Sequence, residues 1–497
     1  MATDRASVAA GNDSQNGRLR VDRRHRRANI IATLGPASAT ATTLHELVVA
    51  GMDIARVNLA HGSHEEHRRL CELAHAAGDE AGHPVAVMAD VAGPKIRLGR
   101  FAGGSADLRA GERFIITTEP CEGSTLRAST TYAALAHDVR PGNLLLIDDG
   151  NIKVRVITTG DAEVVTEVVE GGRVSDHKGL NLPGVAVSAP PLSPEDVDAL
   201  ANALSAGVDL VALSFVRRPD DADAVREVMA AAGRSVPVIA KIEKPEVLSA
   251  LPMIVAAFDG LMVARGDLGV EAPLEWVPLV QKRAINLARG RGRPVIVATQ
   301  MLESMITHSR PTRAEVSDVA NAIFDGADAV MLSAETSVGA HPVEAIATMD
   351  RIITAAEVDG GPNYPAVSSD DDGIPDSVAA AAVALAQRVS ARALVAYTES
   401  GRAAQLLAAR RPSTPVVACT PAAGVSRQLA LTWGVESVDV EQVTSTDQMI
   451  EVIDAAIRAN LIARPGDEVV IVAGAPVGAD NAINAVMVHQ VAEPPTP

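Results

Sequence analysis

Between Val236 and Val270, two short apolar runs each end in a cation and a carboxylate two residues apart: Lys241 with Glu243, and Arg265 with Asp267. On an extended segment, residues i and i+2 project to the same side. Each run therefore delivers one cation and one carboxylate to one place. Two carboxylates beside a lysine and an arginine suit a hard divalent metal next to an anionic, phosphorylated substrate. The same pairs also describe two buried salt bridges capping strands, and taken alone they do not separate these readings.

The elements that carry the pairs do separate them. From Asn29 onward a short apolar run, a polar loop and a helical stretch repeat. Strands are expected at Ile30–Leu34, Ile54–Asn58 and Val85–Asp90, then, after an interruption, at Leu210–Ser214, Val238–Lys241, Leu261–Ala264, Val295–Thr299 and Ala329–Leu332. Helical spacing fills the gaps, as at Pro194–Ala206 and Asp220–Ala232, and Pro311–Phe324 opens on a Thr312–Glu315 capping box. Eight alternations predict an α/β protein built on a parallel (β/α)8 barrel, a TIM barrel, over residues 29–97 and 190–357. Polar residues gather at the C-terminal strand ends: Arg56, Asn58, Asp90, Lys241, Glu243, Arg265, Asp267, Thr299, Ser333 and Glu335. Barrels of this class carry their active site on that rim. Independent salt bridges would not all collect at one end, so the rim is a site.

The interruption, residues 98–189, alternates in runs such as Arg113–Thr117, Leu144–Ile147, Ile152–Ile157 and Glu163–Val169, which predicts an inserted small antiparallel β domain, a small β-barrel. At a catalytic rim such an insert can serve as a lid that excludes water. Residues 358–375, rich in Gly, Pro, Asp and Ser, read as a linker, and residues 376–497 as a separate α/β domain. There, Thr398, Glu399, Ser400, Gly401 and Arg402 follow a strand and open a helix, converging N–H groups, hydroxyls and a guanidinium on one spot. This suits a phosphate; an ordinary N-cap with a glycine turn gives the same pattern. Residues 1–28 are Arg-rich without an apolar core and read as a solvated tail rather than a secretory signal.

Composition narrows the partners. A net charge of −18 argues against nucleic acid or anionic lipid, so an anionic substrate must be held by a local basic site or a metal. No apolar run approaches membrane-spanning length. Three scattered cysteines, Cys71, Cys121 and Cys419, read as reduced thiols of a cytoplasmic protein. There is no Walker A pattern, no G-x-G-x-x-G after a strand and no zinc spacing, and His64–His67 reads as a solvated helix turn. Phosphate chemistry here would rest on a metal and side chains, by positioning and charge neutralisation.

The motifs TLGPAS (33–38), GMDIARVN (51–58) with His61 and Gly62, GPKIR (93–97), KGLNLPG (178–184), KIE (241–243), ARGDLG (264–269), ATQMLESM (298–305) and PTRAEVSDVAN (311–321) closely resemble pyruvate kinases, in order from about Asn29 to Val488. The resemblance implies transfer of a phosphoryl group from phosphoenolpyruvate to ADP, giving pyruvate and ATP. It implies Glu243 and Asp267 as holders of Mg²⁺ (or Mn²⁺), and Lys241 as the charge facing the phosphoryl group. Arg56 and Arg97 would clamp phosphates, and Asn58, His61 and Asp90 would lie around the nucleotide and cation site. The backbone of Ala264, Arg265, Gly266 and Asp267 would receive the substrate carboxylate. Thr299 would help protonate the enolate carbon, with Ser333 and Glu335 shaping that side. The insert resembles the family's closing lid, and Thr398, Ser400, Gly401 and Arg402 its effector phosphate site for a sugar phosphate or AMP. A homotetramer is what the family implies.

Departures qualify the resemblance. Lys95 stands where K⁺-dependent members carry Glu, and with Val91, Ala92 and Leu98 it resembles the K⁺-independent branch; Ala60 replaces a serine that often ligates the monovalent ion. Glu195 replaces a lysine able to reach ADP phosphates, and Val247 replaces a glycine. Two other readings share some residues: a metal-dependent pyruvate aldolase or lyase, and a catalytically degenerate metabolite sensor.

Overall fold

The computed structural model describes residues 26–359, 364–367, 373–478 and 483–493. Eight strands, β1 (Asn29–Thr33), β2 (Ile54–Asn58), β3 (Ala86–Val91), β4 (Leu210–Leu213), β5 (Val238–Ile242), β6 (Gly260–Ala264), β7 (Val295–Ala298) and β8 (Ala329–Leu332), pair in parallel with their sequence neighbours and close between β8 and β1. All eight expected barrel strands form, with ends shifted by at most one residue. Their near-continuous apolar sequences follow from burial on both faces. Ile31, Ile54, Met88, Ile239, Met262 and Met331 fill the barrel axis, while Ile30, Val57, Val87, Val211 and Val263 pack against the surrounding helices.

The N-terminal end of the barrel is polar too, which the rim argument overlooked. An aspartate directly precedes every second strand, and its carboxylate accepts the N–H of a residue in the first turn of the neighbouring strand. Asp53 accepts from Ile30, Asp209 from Val87, Asp259 from Val238 and Asp328 from Val295, at 2.7–3.0 Å. Each also meets a basic group: Arg26, His75, Arg293 and Arg411 respectively. These aspartates tie off strand starts that would otherwise leave unsatisfied donors.

Helix starts follow the sequence signals. Ser63 with Glu66, Ser193 with Asp196 and Thr312 with Glu315 form reciprocal capping boxes. The inserted domain is β as expected, but the small barrel does not close: it is an open six-stranded sheet and a two-stranded ribbon around one core. One of its pairs, Arg113–Thr117 with Arg127–Ser129, is parallel, which the antiparallel expectation missed. The C-terminal domain has a five-stranded sheet, parallel except for its last edge strand Ala485–Gln490, with apolar cores on both faces.

The tail reading needs correction at its end. Residues 1–25 lie outside the described residues, but Arg26 is buried on Asp53 and Asp350. Arg27 donates to the Pro412 and Ser413 carbonyls of the C-terminal domain. The Arg27 and Arg411 guanidinium groups both lie over the Trp433 ring, 5.0 and 4.8 Å from its centroid, and its indole N–H reaches Glu357 at 2.9 Å. Arginines that composition alone places in solvent thus join the barrel floor to the C-terminal domain. Part of the expected linker (360–363 and 368–372) lies outside the described residues, while Tyr364 packs edge-on against Trp433. Among the described residues no helix is long and apolar enough to cross a membrane. The three cysteines are unpaired, and burial pushes the Cys71 and Cys419 thiols up to about 12.

Candidate active site

A cleft of about 1000 Å³ opens between the C-terminal rim of the barrel and the inserted domain. Strand β5 runs through Ile242, so the i, i+2 argument holds for its pair: Lys241 and Glu243 face the same way, 2.9 Å apart. A line of alternating charge crosses the cleft floor. Arg56 Nε meets Asp90 Oδ2 at 2.7 Å, Lys241 Nζ meets Asp90 Oδ1 at 3.2 Å, and Glu243 completes the line. Burial works against charge on Asp90, yet Arg56 and Lys241 hold its carboxyl below the usual range. Burial likewise opposes the Lys241 ammonium, and Asp90 and Glu243 outweigh it to raise its pKa.

The second pair does not behave as an extended segment. Strand β6 stops at Ala264, and Arg265–Glu271 is a short helix. Two residues apart on a helix, Arg265 and Asp267 point different ways. Arg265 turns out of the cleft, pairing with Asp318 at 2.7 Å and donating to the Thr299 carbonyl at 2.9 Å. It is therefore not one of the cations of the site. Asp267 lines the cleft, and its carboxylate makes no hydrogen bond or ion pair among the described residues. Burial raises the Glu243 pKa, and the charge of Asp267 raises it further, against the pull of Lys241.

Two buried cations thus stand against three carboxylates. The donor set fits a hard divalent ion: two carboxylates close enough to repel, one of them unpartnered. No group of three protein ligands exists among the described residues, so substrate and water would complete the coordination of such an ion.

Two participants escaped the sequence reading. Ser214, just past β4, accepts from Lys241 Nζ at 2.7 Å and donates to Asp90 at 3.3 Å. Phe215 donates its backbone N–H to Glu243 Oε2 at 2.7 Å, from a left-handed φ of 54° that a bulky side chain rarely adopts. Gly93 approaches this turn so closely that a Cβ would lie 3.1 Å from the Ser214 carbonyl. A hydroxyl and a backbone amide carry no charge pattern; the only hint was a serine at a strand's C-terminal end.

Asn58, His61, Lys95, Arg97 and Glu195 all line the cleft. The His61 carbonyl is held by His67 Nε2 at 2.7 Å, and Arg97 donates to the His177 carbonyl of the inserted domain at 3.0 Å. His67 is thus buried, not part of a solvated turn. Lys95 is exposed and makes no ion pair among the described residues. Val91, by contrast, buries its side chain in the barrel–helix core, so only its backbone is near the site. Thr299 sits beside the Asp267 turn, accepting from Gly266 N–H at 2.7 Å with φ at 71°. Such a conformation costs about 1–3 kcal/mol and collects at functional positions. Ser333 and Glu335 do not open into the cleft: Glu335 is fully buried and accepts the N–H groups of Leu302 and Ser333 at 3.1 and 2.7 Å. That pins the Thr299–Leu302 loop from behind. Val247 is fully buried at the start of the Val247–Ala257 helix.

Ser400 and Arg402 line a second cavity of about 460 Å³ between the barrel floor and the C-terminal domain. Gly401 caps the helix at φ 80°, and a Cβ there would meet Leu429 at 2.9 Å. Thr398 is buried away from this cavity, and Arg402 donates to the Arg291 and Gly292 carbonyls of the barrel at 2.7 and 2.9 Å.

A family model described as "Pyruvate kinase, barrel domain" matches residues 25–346, and one described as "Pyruvate kinase, alpha/beta domain" matches residues 376–489. A pyruvate kinase of Mycobacterium tuberculosis is 51% identical over 470 residues, covering 94% of this chain and 99% of that protein. One of Geobacillus stearothermophilus is 42% identical over 479 residues, covering 94% and 81%. The crystal structure of a pyruvate kinase from Cryptosporidium parvum superimposes with a TM-score of 0.85 at 33% identity, covering 94% of this chain and 96% of that one.

Proposed function

The chain belongs to the pyruvate kinase family, and from that premise we propose how its residues divide the work. It is a phosphotransferase that moves the phosphoryl group of phosphoenolpyruvate to ADP, yielding pyruvate and ATP. Glu243 and Asp267 hold the Mg²⁺ (Mn²⁺ can substitute). When bound, that ion neutralises substrate oxygens and supplies Lewis acidity. The carrying observation is the buried line Arg56–Asp90–Lys241–Glu243 ending at the unpartnered Asp267.

Lys241 offers its ammonium to the phosphoryl group as a fixed point charge, held by Asp90 and Ser214 so that little reorganisation is needed. Arg56 and Arg97 clamp phosphate oxygens, and Asn58 and His61 border the nucleotide. The backbone of the Ala264–Asp267 turn receives the substrate carboxylate, with Gly266 N–H already donated to Thr299. Thr299 relays a proton to the enolate carbon through water, its loop held by Glu335, which the Ser333 N–H orients in turn. The inserted domain closes over the cleft.

In a lactate dehydrogenase-coupled assay, pyruvate should appear from phosphoenolpyruvate only when ADP and Mg²⁺ are present. Pyruvate without ADP would favour a lyase, and no pyruvate at all a sensor. The Ser400–Arg402 loop is proposed to take a phosphorylated effector, supported by the adjoining cavity. Adding a sugar phosphate or AMP to the same assay should shift the phosphoenolpyruvate dependence; insensitivity to both would remove this proposal.

The exposed, unpaired Lys95 supports a K⁺-independent enzyme in which its ammonium takes the ion's place beside Asn58 and Asp90. With tetramethylammonium as the sole monovalent cation, the rate should stay within about twofold of that in K⁺, below about 0.4 kcal/mol of barrier. A many-fold stimulation by K⁺ would refute it. A homotetramer is supported by the apolar side chains of Leu274, Trp276 and Leu279, all left exposed on one chain. Sedimentation should show a species of four chains, and a monomer would count against it. A cytoplasmic setting is supported by the unpaired cysteines.

A further inference from the structure

The helix Arg265–Glu271 carries a second carboxylate that the proposed reaction does not use. Glu271 lies four residues after Asp267, so both project from one face of this short helix. Asp267 lines the cleft with Glu243, and Lys244, the next residue after Glu243, places its Nζ 2.7 Å from Glu271 Oε1. That pair is buried, the two side chains being 12% and 3% exposed. Asn181 of the inserted domain donates to the same Oε1 at 3.0 Å.

Asn181 belongs to the edge strand Leu180–Asn181 of the six-stranded sheet, so its position reports the posture of the whole insert. A second point of approach lies nearby: a Cβ on Gly150, in a tight turn of the insert, would stand 3.9 Å from Val270 of the helix. Glu271 Oε2 is buried without a hydrogen-bond partner. The carboxylate is thus held through one oxygen shared by barrel and lid.

We infer that Glu271 is a positioning residue, a latch through which the lid, by Asn181, sets the orientation of the helix that carries Asp267. With Asn181 docked, the helix is fixed at both ends, by Thr299 at Gly266 and by the latch at Glu271. With the lid swung away, Lys244 is the one polar partner left to Glu271 among the described residues, and Asp267 is less firmly set against Glu243. Lid posture and divalent-ion affinity are therefore linked, in both directions. The inference rests on the proposed metal role of Glu243 and Asp267.

The test is Mn²⁺ binding to the full-length protein without substrates, followed by electron paramagnetic resonance, so that turnover is not the readout. Asn181→Ala leaves the barrel intact and should weaken Mn²⁺ binding about tenfold, the size of an outer-contact effect on a metal site. Asn181→Asp sets a carboxylate against Glu271 and should weaken it further. Glu271→Gln keeps the acceptor for Asn181 but leaves a buried lysine, so thermal unfolding is measured beside it. Unchanged Mn²⁺ affinity in both Asn181 variants, with a raised KM for ADP as the only effect, would overturn the latch. Asp267→Asn serves as the control. If it abolishes Mn²⁺ binding, the metal role stands whatever the Asn181 variants do; if it binds Mn²⁺ as the wild type does, the metal role and the latch fall together.

Discussion

Lys241→Met is expected to lower kcat by about a hundred- to a thousandfold, the scale set by removing one preorganised donor from a developing anion. The ammonium is buried and already bonded to Asp90, Ser214 and Glu243, so it contributes charge at a fixed point rather than a mobile side chain. Methionine preserves the length of the side chain and removes the charge. Divalent-ion and phosphoenolpyruvate binding should survive, because Glu243, Asp267 and Arg56 are untouched. A stability loss should accompany the change, of about 3–5 kcal/mol if the carboxylates stay ionised, since breaking a buried pair strands its partner. Arg56 still serves Asp90, and Glu243 can take up a proton, both of which reduce the loss. Rapid-quench kinetics separate the effects: a folded variant with kcat within tenfold of wild type would remove Lys241 from the chemistry.

Glu243→Gln and Asp267→Asn should each lower kcat/KM by about a thousandfold, near 4 kcal/mol of transition-state stabilisation, with a large rise in the Mg²⁺ required. Their effect on the metal-free protein runs the other way. The folded-state pKa of Glu243 is raised by burial and by Asp267, so the native fold favours its protonated form. Ionisation of that carboxyl therefore costs stability once the pH exceeds its unfolded value, and acid relieves the cost. Asparagine at 267 removes one of the two repelling charges at any pH and breaks no ion pair, whereas glutamine at 243 also takes a partner from Lys241. The metal-free thermal midpoint of Asp267→Asn should therefore equal or exceed that of wild type at neutral pH. A lower midpoint in Asp267→Asn would mean that its carboxylate stabilises the fold rather than waits for a cation.

Much of this architecture was written locally. Apolar runs of four to six residues gave the barrel strands, and the Thr312–Glu315 capping box gave a helix start, because each depends on contacts only a few residues away. The Lys241–Glu243 geometry was legible for the same reason: strand β5 continues through Ile242 and keeps the two-residue period. Arg265 was misread because β6 ends at Ala264, two residues short of the Gly266 that a two-residue period needs, and helical periodicity turned its guanidinium to Asp318. Ser214 and Phe215 act through a hydroxyl and a backbone amide, which leave no charge pattern. The floor aspartates did leave one, a single Asp before every second strand, but each acts on a neighbouring strand at least 21 residues away, beyond the reach of local spacing. Arg26 and Arg27 read as tail because none of their side-chain ion-pair and interdomain partners lies within one helical turn: Asp53 is 27 residues from Arg26, and Asp350 and Pro412 lie more than three hundred residues away. Local reasoning sees composition there and not contact.

The central claim is that Glu243 and Asp267 grip one divalent ion whose anionic ligand also lies against Lys241. Crystals grown with Mn²⁺ and phosphoenolpyruvate, measured for anomalous scattering, test it most directly. The expected map has a single strong peak within ligand distance, about 2.0–2.2 Å, of both carboxylates, with the phosphate in hydrogen-bond reach of Lys241 Nζ. A peak elsewhere, or a phosphate lodged away from Lys241, would contradict it.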